Sequence, residues 1–380
     1  MHRRLLVAPQ VGIPEAEEVR VKIGIVGSGQ LGWMMILEGR PRGYGFHLTG
    51  ADRSGPAARI ADKFYPGQDY RKFVDSVDVV TYEFESVDPR VIEYAEREGK
   101  LAPPAEALAL KWDRAREMGF LTGAGLPVPQ YRVASSREEI KRFAEQFGRA
   151  VVKACAGGYD GKGLRIYSDG LAVDCTPERR FLVQEYVDFD AEASVIGARD
   201  ARGNIALFPP SFNVNMAGIL IYNSSPFRDY GMTRMVRTIL SRLHYVGVIT
   251  VEFMIKNGKA LVNEIAPRVH NSGHLTLYGS SISQFDLHLR AITGAPLARP
   301  QLFTPAGMVN IIGRGMDDAI THQILREGGT KIYWYGKEGI RRGRKLGHVN
   351  IVARTVPGVQ ASIRRVMDHL YPGGKVGDFL

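Results

Sequence analysis

The chain predicts a parallel α/β unit followed by α+β domains, two or three domains in all. Three observations lead there. Its 380 residues at 42.0 kDa exceed what one ordinary core holds. Near the start, strand, glycine turn, helix and strand succeed one another, the grammar of a parallel sheet. Beyond residue 150 the strands are separated by short turns, which favours antiparallel pairing.

Residues 1–20 carry little periodicity and read as a poorly ordered tail, with too short an apolar run before Pro9 for a secretory signal. The N-terminal α/β unit is expected over 21–110. VKIGIVG is a buried strand, Gly27, Gly29 and Gly32 make a turn, and LGWMMILEG is a short helix. FHLTGAD is a second strand ending at Asp52, and SVDVVTYEFE a third, rich in β-branched residues. A second domain is expected over 111–305. It opens with KWDRAREMGFLTGAGLPVPQ, read as one helix closed by Gly125 and a proline-bracketed connector. Ser135 and Ser136 each stand three residues ahead of a glutamate, the capping-box spacing. The helix they start has an apolar face of Ile140, Phe143, Ala144 and Phe147, and stops at Gly148. Strands follow at AVVKAC, FLVQEYV, EASVIGA, NIALFP, VITVEFMI and ALVNEIA. A small lid is expected at about 125–190. The last unit, 306–380, holds the strand GMVNIIG, a helical stretch and the basic segment KIYWYGKEGIRRGRKLGHVNIVA.

Composition bounds function. Hydrophobic residues are 44% and charged residues 24%, which excludes a disordered, collagenous or coiled-coil chain. No apolar run is long enough for a membrane helix, so no membrane partner is expected, and cytoplasm is the default location. Cys155 and Cys175 are too few for a disulfide framework or a four-cysteine zinc site. Fifty basic against forty acidic residues give +10, with a dense patch at Arg341, Arg342, Arg344 and Lys345. That balance suits phosphorylated substrates, and no nucleic-acid-binding pattern accompanies it.

Four constellations carry chemistry. Gly27, Gly29 and Gly32, with Asp52 twenty residues beyond, fit the dinucleotide fingerprint and by themselves suggest a nicotinamide oxidoreductase. Their physical content is narrower: backbone donors at a helix N-terminus serve any phosphate, and a plain strand-to-helix turn looks the same. In VVKACAGGYDGKG, Lys153 ends a strand ahead of Gly157, Gly158, Gly161 and Gly163, a point charge and exposed amides suited to a triphosphate. An exposed surface hairpin is the plainer reading. Glu252 and Glu264 lie on strands joined by the turn KNGK, and with Asn263 they offer the hard oxygens magnesium takes. Solvated strand carboxylates are the alternative, but apolar residues flank both. Finally, APRVHNSGH crowds Arg268, His270, Asn271, Ser272 and His274 together, donors able to hold a small oxyanion; Arg268 and His270 stand out. Cys155 has no paired histidine nearby and reads as a small filler.

Taken in order, GSGQLG, SGPAARIAD, DVVTYEFESV, GGYDGKG, QEYVDFDAEASVIGAR, VEF, NEIAPRVHNSGH, SQFDLHLRA and YGK with GRKLGH span about residues 22–350. On these motifs the chain resembles the ATP-grasp superfamily, and within it the N5-carboxyaminoimidazole ribonucleotide synthetases. The resemblance implies a pre-ATP-grasp domain, an ATP-grasp domain with its lid and a β-rich C-terminal segment. It implies that ATP phosphorylates bicarbonate to carboxyphosphate, whose carbon is captured by the amine of 5-aminoimidazole ribonucleotide during purine biosynthesis. Lys153 and the loop Gly158, Tyr159, Asp160, Gly161, Lys162 and Gly163 would then cover the ATP phosphates. Gln184, Glu185, Tyr186 and Val187 would form the adenine hinge, Glu192 would hold the ribose, and Asn215 would lie near the nucleotide. Glu252 and Glu264 would carry magnesium beside Asn263, with Arg268, His270 and Asn271 as catalytic residues, the first two facing bicarbonate. The ribonucleotide would meet Gly29, Gln30, Leu31, Glu83, Tyr159, Asp160, Lys337, Arg344 and Lys345. A homodimer without nucleic acid is implied.

The chain departs from the family pattern in four places. Met118 stands where a phosphate-reaching lysine is usual, Asn215 where a histidine is common, and Trp33 where an arginine follows GQLG. The stretch Leu164 to Arg180 is also short. Another ATP-grasp ligase, a nicotinamide oxidoreductase and a non-catalytic nucleotide-binding relative are the alternatives.

Overall fold

The computed structural model describes residues 21–50, 52–157, 164–167 and 179–380. Strands β1 (Lys22–Val26), β2 (Gly45–Gly50), β3 (Lys63–Pro66) and β4 (Val79–Tyr82) form a parallel sheet in the order β3-β2-β1-β4. β1 is buried after Lys22 and β4 throughout, as strands covered on both faces must be. The helix Gln30–Gly39 packs Leu31, Met34, Met35 and Ile36 inward. β3 went unread because KFYP is an edge strand without apolar alternation.

A second sheet pairs β5 (Tyr131–Ala134), β6 (Ala150–Ala154), β7 (Leu164–Ile166) and β8 (Phe181–Glu185), antiparallel, in the order β5-β8-β6-β7. The helix Arg137–Phe147 lies on it, buried at Ile140 and Ala144. Its start uses both serines: Ser136 Oγ accepts from the Glu139 amide, and the Glu139 carboxylate accepts from the Ser135 amide at 2.8 Å.

Among the described residues the third sheet has nine strands. Its main path is β14 (Lys259–Ala266), β13 (Gly247–Lys256), β9 (Ala191–Arg199), β11 (Ser211–Met216), β12 (Ile219–Ser225), β15 (Ala306–Ile312), β17 (Lys345–Val352) and β16 (Thr330–Trp334), with β10 (Ile205–Leu207) beside β9. β12 pairs with β15 from Tyr222–Val309 to Ser225–Ala306, so the C-terminal strands continue the sheet of the central body.

One expectation needs correcting. The helix read through KWDRAREMGF is two, Ala105–Trp112 and Arg114–Gly123, broken at Asp113 with φ −137°. The Asp113 carboxylate accepts from the Ala115 amide at 2.8 Å, so this residue caps the second helix rather than continuing the first.

One core cluster joins Ile23, Met34 and Phe46 of the first domain to Val248, Phe285, Leu289 and Tyr335 of the rest. The junction also buries His274, His288 and His348 completely. His288 Nδ1 accepts from the Val248 amide at 3.0 Å, so its proton sits on Nε2 and faces Thr81 Oγ1 at 2.9 Å. Burial depresses all three histidines, His274 and His288 to about 3. A depressed folded pKa contributes stability that is present above the unfolded value near 6.5 and is lost as pH falls toward the folded one. Below pH 6.5 each buried histidine therefore costs roughly 1.4 kcal/mol of stability per pH unit. Thermal melts should fall steeply from pH 6.5 to 5, and the slope should shallow in His288→Gln; an unchanged slope would contradict this account.

Candidate active site

β13 and β14 form the hairpin on which the acidic pair sits. Asn257 at φ +49° and Gly258 at φ +72° fill its two turn positions, the left-handed pair that a type I′ turn requires. That turn sets the register from Lys256–Lys259 to Phe253–Val262, which continued unbroken would put Glu252 opposite Asn263. Between Phe253 and Glu252 the register shifts, so Asn263 is the extra residue of a β-bulge and Glu264 is brought opposite Glu252.

The two carboxylates are electrostatically unequal. Burial and the charge of Glu264 push Glu252 well above the usual carboxylate range. For Glu264 desolvation works the same way, but Lys111 and Lys153 outweigh it and hold the group below that range. Lys111 Nζ donates to Glu264 Oε2 at 2.6 Å and stands 3.8 Å from Glu117 Oε1. Glu117 is buried and accepts from the Ile265 amide at 2.6 Å, tying the second helix to β14.

Lys153, at the end of β6, donates to Gln184 Oε1 at 2.8 Å. Burial lowers its pKa to about 8. Beside it, Arg114 donates to the Ala154 carbonyl at 2.7 Å. Gln184 is turned inward onto Lys153, whereas Glu185 and Tyr186 are half-buried at the strand end with Val187. The Glu185 carboxylate accepts from the Gln130 amide at 2.8 Å, and the Arg149 guanidinium covers the Tyr186 ring at 3.5 Å. In the central sheet, Asn215 Nδ2 donates to Glu192 Oε2 at 3.0 Å, which makes Asn215 a partner of the expected ribose-holding carboxylate. Gly158, Tyr159, Asp160, Gly161, Lys162 and Gly163 lie outside the described residues.

The APRVHNSGH segment is clamped from beneath by Gln284, which accepts from the His270 amide at 2.9 Å and donates to its carbonyl at 2.6 Å. Gln284 also lies where a side chain at Gly273 would go, which accounts for that glycine. His270 Nδ1 accepts from the Ser272 amide at 3.3 Å, so Nε2 bears the ring proton and faces Glu252 Oε1 at 3.7 Å. Arg268 pairs with Glu85 at 3.0 Å. Asn271 is buried, and its amide group has no hydrogen-bond partner among the described residues. Cys155 is a buried thiol pushed up to about 11 by burial, in keeping with a filler.

The first glycine loop corrects an expectation. The donors read as a phosphate site are already occupied: the Glu83 carboxylate accepts from the Gly32 amide at 2.8 Å and from the Gly29 amide. Glu83 is only 3% exposed, so the anion at this helix N-terminus is the protein's own. A dinucleotide pyrophosphate has no place there. Leu31 is buried in the core and Gln30 is half-buried at the helix start. Lys337 lies in the field of Glu83; burial and the neighbouring Arg344 and Lys345 lower its pKa to about 8. Its Nζ donates to the Lys345 carbonyl at 3.1 Å, and Arg344 donates to the Gly339 carbonyl at 3.0 Å. Sequence reading missed Arg59, whose guanidinium lies where a side chain at Gly336 would go, and the trio Lys111, Arg114 and Glu117.

The donor set fits a divalent cation. Glu252, Glu264 and Asn263 supply hard oxygens, and burial together with the charge of Glu264 raises the pKa of Glu252, an unfavourable situation that a +2 ion would relieve. Among the described residues no group of three or more His, Cys, Asp or Glu is placed to hold a metal, so phosphate oxygens would have to complete its shell.

The chain matches three family models in order: a ribonucleotide synthetase preATP-grasp domain over 20–111, an ATP-grasp domain over 119–285 and a phosphoribosylaminoimidazole carboxylase C-terminal domain over 306–362. Fold and site thus define an ATP-grasp enzyme carrying a pre-ATP-grasp domain. It is 45% identical to the N5-carboxyaminoimidazole ribonucleotide synthase of Saccharolobus solfataricus, over 93% of this chain and 97% of that one. It superposes on the crystal structure of the phosphoribosylaminoimidazole carboxylase ATPase subunit from Aquifex aeolicus with a TM-score of 0.81 at 41% identity, covering 92% of this chain and 100% of that one. The Aspergillus clavatus N5-carboxyaminoimidazole synthase in complex with ADP and 5-aminoimidazole ribonucleotide matches with a TM-score of 0.83 at 25% identity, over 92% and 98%. The chain belongs to the N5-carboxyaminoimidazole ribonucleotide synthase family.

Proposed function

We propose that the protein carboxylates 5-aminoimidazole ribonucleotide to N5-carboxyaminoimidazole ribonucleotide, consuming ATP and bicarbonate, as a step of purine biosynthesis. The observation that carries this reading is the meeting of two sites. Lys345 of the C-terminal hairpin acts electrostatically on both Glu252 and His270, so a phosphorylated substrate held by that hairpin borders the nucleotide-metal end of the cleft.

In this reading Lys153 and Arg114 bind the nucleotide phosphates, and Glu192, steadied by Asn215, binds its ribose. Glu252, Glu264 and Asn263 hold magnesium, which supplies charge neutralisation of the phosphates. A bicarbonate oxygen attacks the γ-phosphorus and ADP leaves; the amine of the ribonucleotide then attacks the carboxyl carbon, releasing phosphate and a proton. Arg268, kept in place by Glu85, and the Nε2–H of His270 orient the bicarbonate oxygens. Lys337, Arg344 and Lys345 neutralise the ribonucleotide phosphate. The family likeness also carries the expectation of a cytoplasmic homodimer; among the described residues no helix is long and apolar enough to cross a membrane.

The test is magnesium-dependent ADP release with bicarbonate, with and without 5-aminoimidazole ribonucleotide. Stimulation by the ribonucleotide is the expected result. ADP release indifferent to it would reassign the substrate, and absence of release would point to a non-catalytic relative.

A further inference from the structure

Met118, the residue standing in place of a phosphate-reaching lysine, is 2% exposed and packs in the core with Leu110, Leu121 and Ile265. It leaves no room for a charge at that position. The cation instead arrives from the preceding helix: Lys111 Nζ lies 2.6 Å from Glu264 Oε2, on the carboxylate assigned to magnesium, with Glu117 Oε1 3.8 Å away as a second acceptor. Its side chain is 18% exposed and Glu264's is 41% exposed, so the pair opens to the cleft while Glu117, at 2%, does not.

A divalent ion on Glu264 would stand next to this ammonium. Two cations a few ångströms apart in a partly desolvated cleft repel strongly, so Lys111 has to leave Glu264 when metal binds. Glu117 is the acceptor within reach, and the phosphoryl oxygens that accompany the metal are the other anions at that end of the cleft. We infer that Lys111 is a two-station cation: it neutralises Glu264 in the empty enzyme, and on metal-nucleotide binding it moves to Glu117 and the nucleotide phosphates, supplying the charge that Met118 lacks. The inference rests on the proposed nucleotide-metal site.

It makes a signed prediction. Lys111→Met removes both a competitor of magnesium and a ligand of the phosphates. Magnesium alone, titrated calorimetrically into nucleotide-free protein, should bind several-fold more tightly in the variant, whereas ADP with saturating magnesium should bind roughly ten- to a hundredfold more weakly. Lys111→Arg should restore ADP affinity to within about threefold, because the charge returns. A merely structural lysine would shift both affinities the same way or neither, and either result overturns the inference. Should Lys111→Met not fold, a crystal structure of the wild-type protein with ADP and magnesium decides: Nζ on a phosphoryl oxygen or Glu117 supports it, and Nζ still on Glu264 refutes it. Wild-type protein that binds neither magnesium nor ADP would remove the underlying site, and the inference with it. Wild-type binding of both, with Lys111→Met unchanged, would remove only the role of Lys111.

Discussion

Replacing Glu264 by Gln is expected to cut magnesium-dependent ADP formation by about two to three orders of magnitude. The amide keeps the shape and one oxygen donor but lacks the charge that holds a divalent ion against two neighbouring cations, Lys111 and Lys153. A second readout separates loss of charge from misfolding. Burial together with the Glu264 carboxylate raises the pKa of Glu252, so in Glu264→Gln it should move back toward the ordinary range. Carboxyl titration followed by infrared spectroscopy or NMR on metal-free protein would report that movement. Activity within tenfold of wild type would remove Glu264 from the metal site.

Glu83→Leu is expected to destabilise the protein by about 3–5 kcal/mol, because a buried and a part-buried backbone N–H group lose a charged acceptor. The Gly29 and Gly32 amides are those donors, and Glu83 is their acceptor from β4's end, more than fifty residues along the chain. Removing a buried charge recovers part of the cost, which keeps the figure below the sum of two charged hydrogen bonds. Denaturant melts measure it. Alongside, the KM for the ribonucleotide should rise at least about tenfold with ADP affinity unchanged, since Lys337 loses its nearby carboxylate on the substrate side only. Wild-type stability in Glu83→Leu would mean that the loop does not depend on its internal anion.

Residue pattern and three-dimensional arrangement contributed differently to this molecule. Buried apolar runs, the Ser136–Glu139 box and the KNGK turn are local signals, so many of the buried strands, one helix start and the hairpin that carries Glu252 and Glu264 were legible along the chain. The turn type sets the register near the loop, but the β-bulge at Asn263 is what brings Glu264 opposite Glu252. Asp113 was misread because a polar residue inside a helical pattern looks alike whether it is exposed on the helix or caps a new one; only its φ and its hydrogen bond decide. Lys111 and Glu117 carry no motif at all. They became site residues when the helix pair packed against β14, 153 positions along the chain from Lys111. The same holds for Glu83, whose carboxylate turned an apparent ligand-binding loop into a self-capped one. Local hydrogen bonding and side-chain periodicity, which act over a few residues, were enough to place most of the buried elements in order and to mark the acidic pair as a site. Which cation sits on which carboxylate was decided by tertiary packing alone, because electrostatic pairing depends on distances of a few ångströms that no sequence spacing encodes.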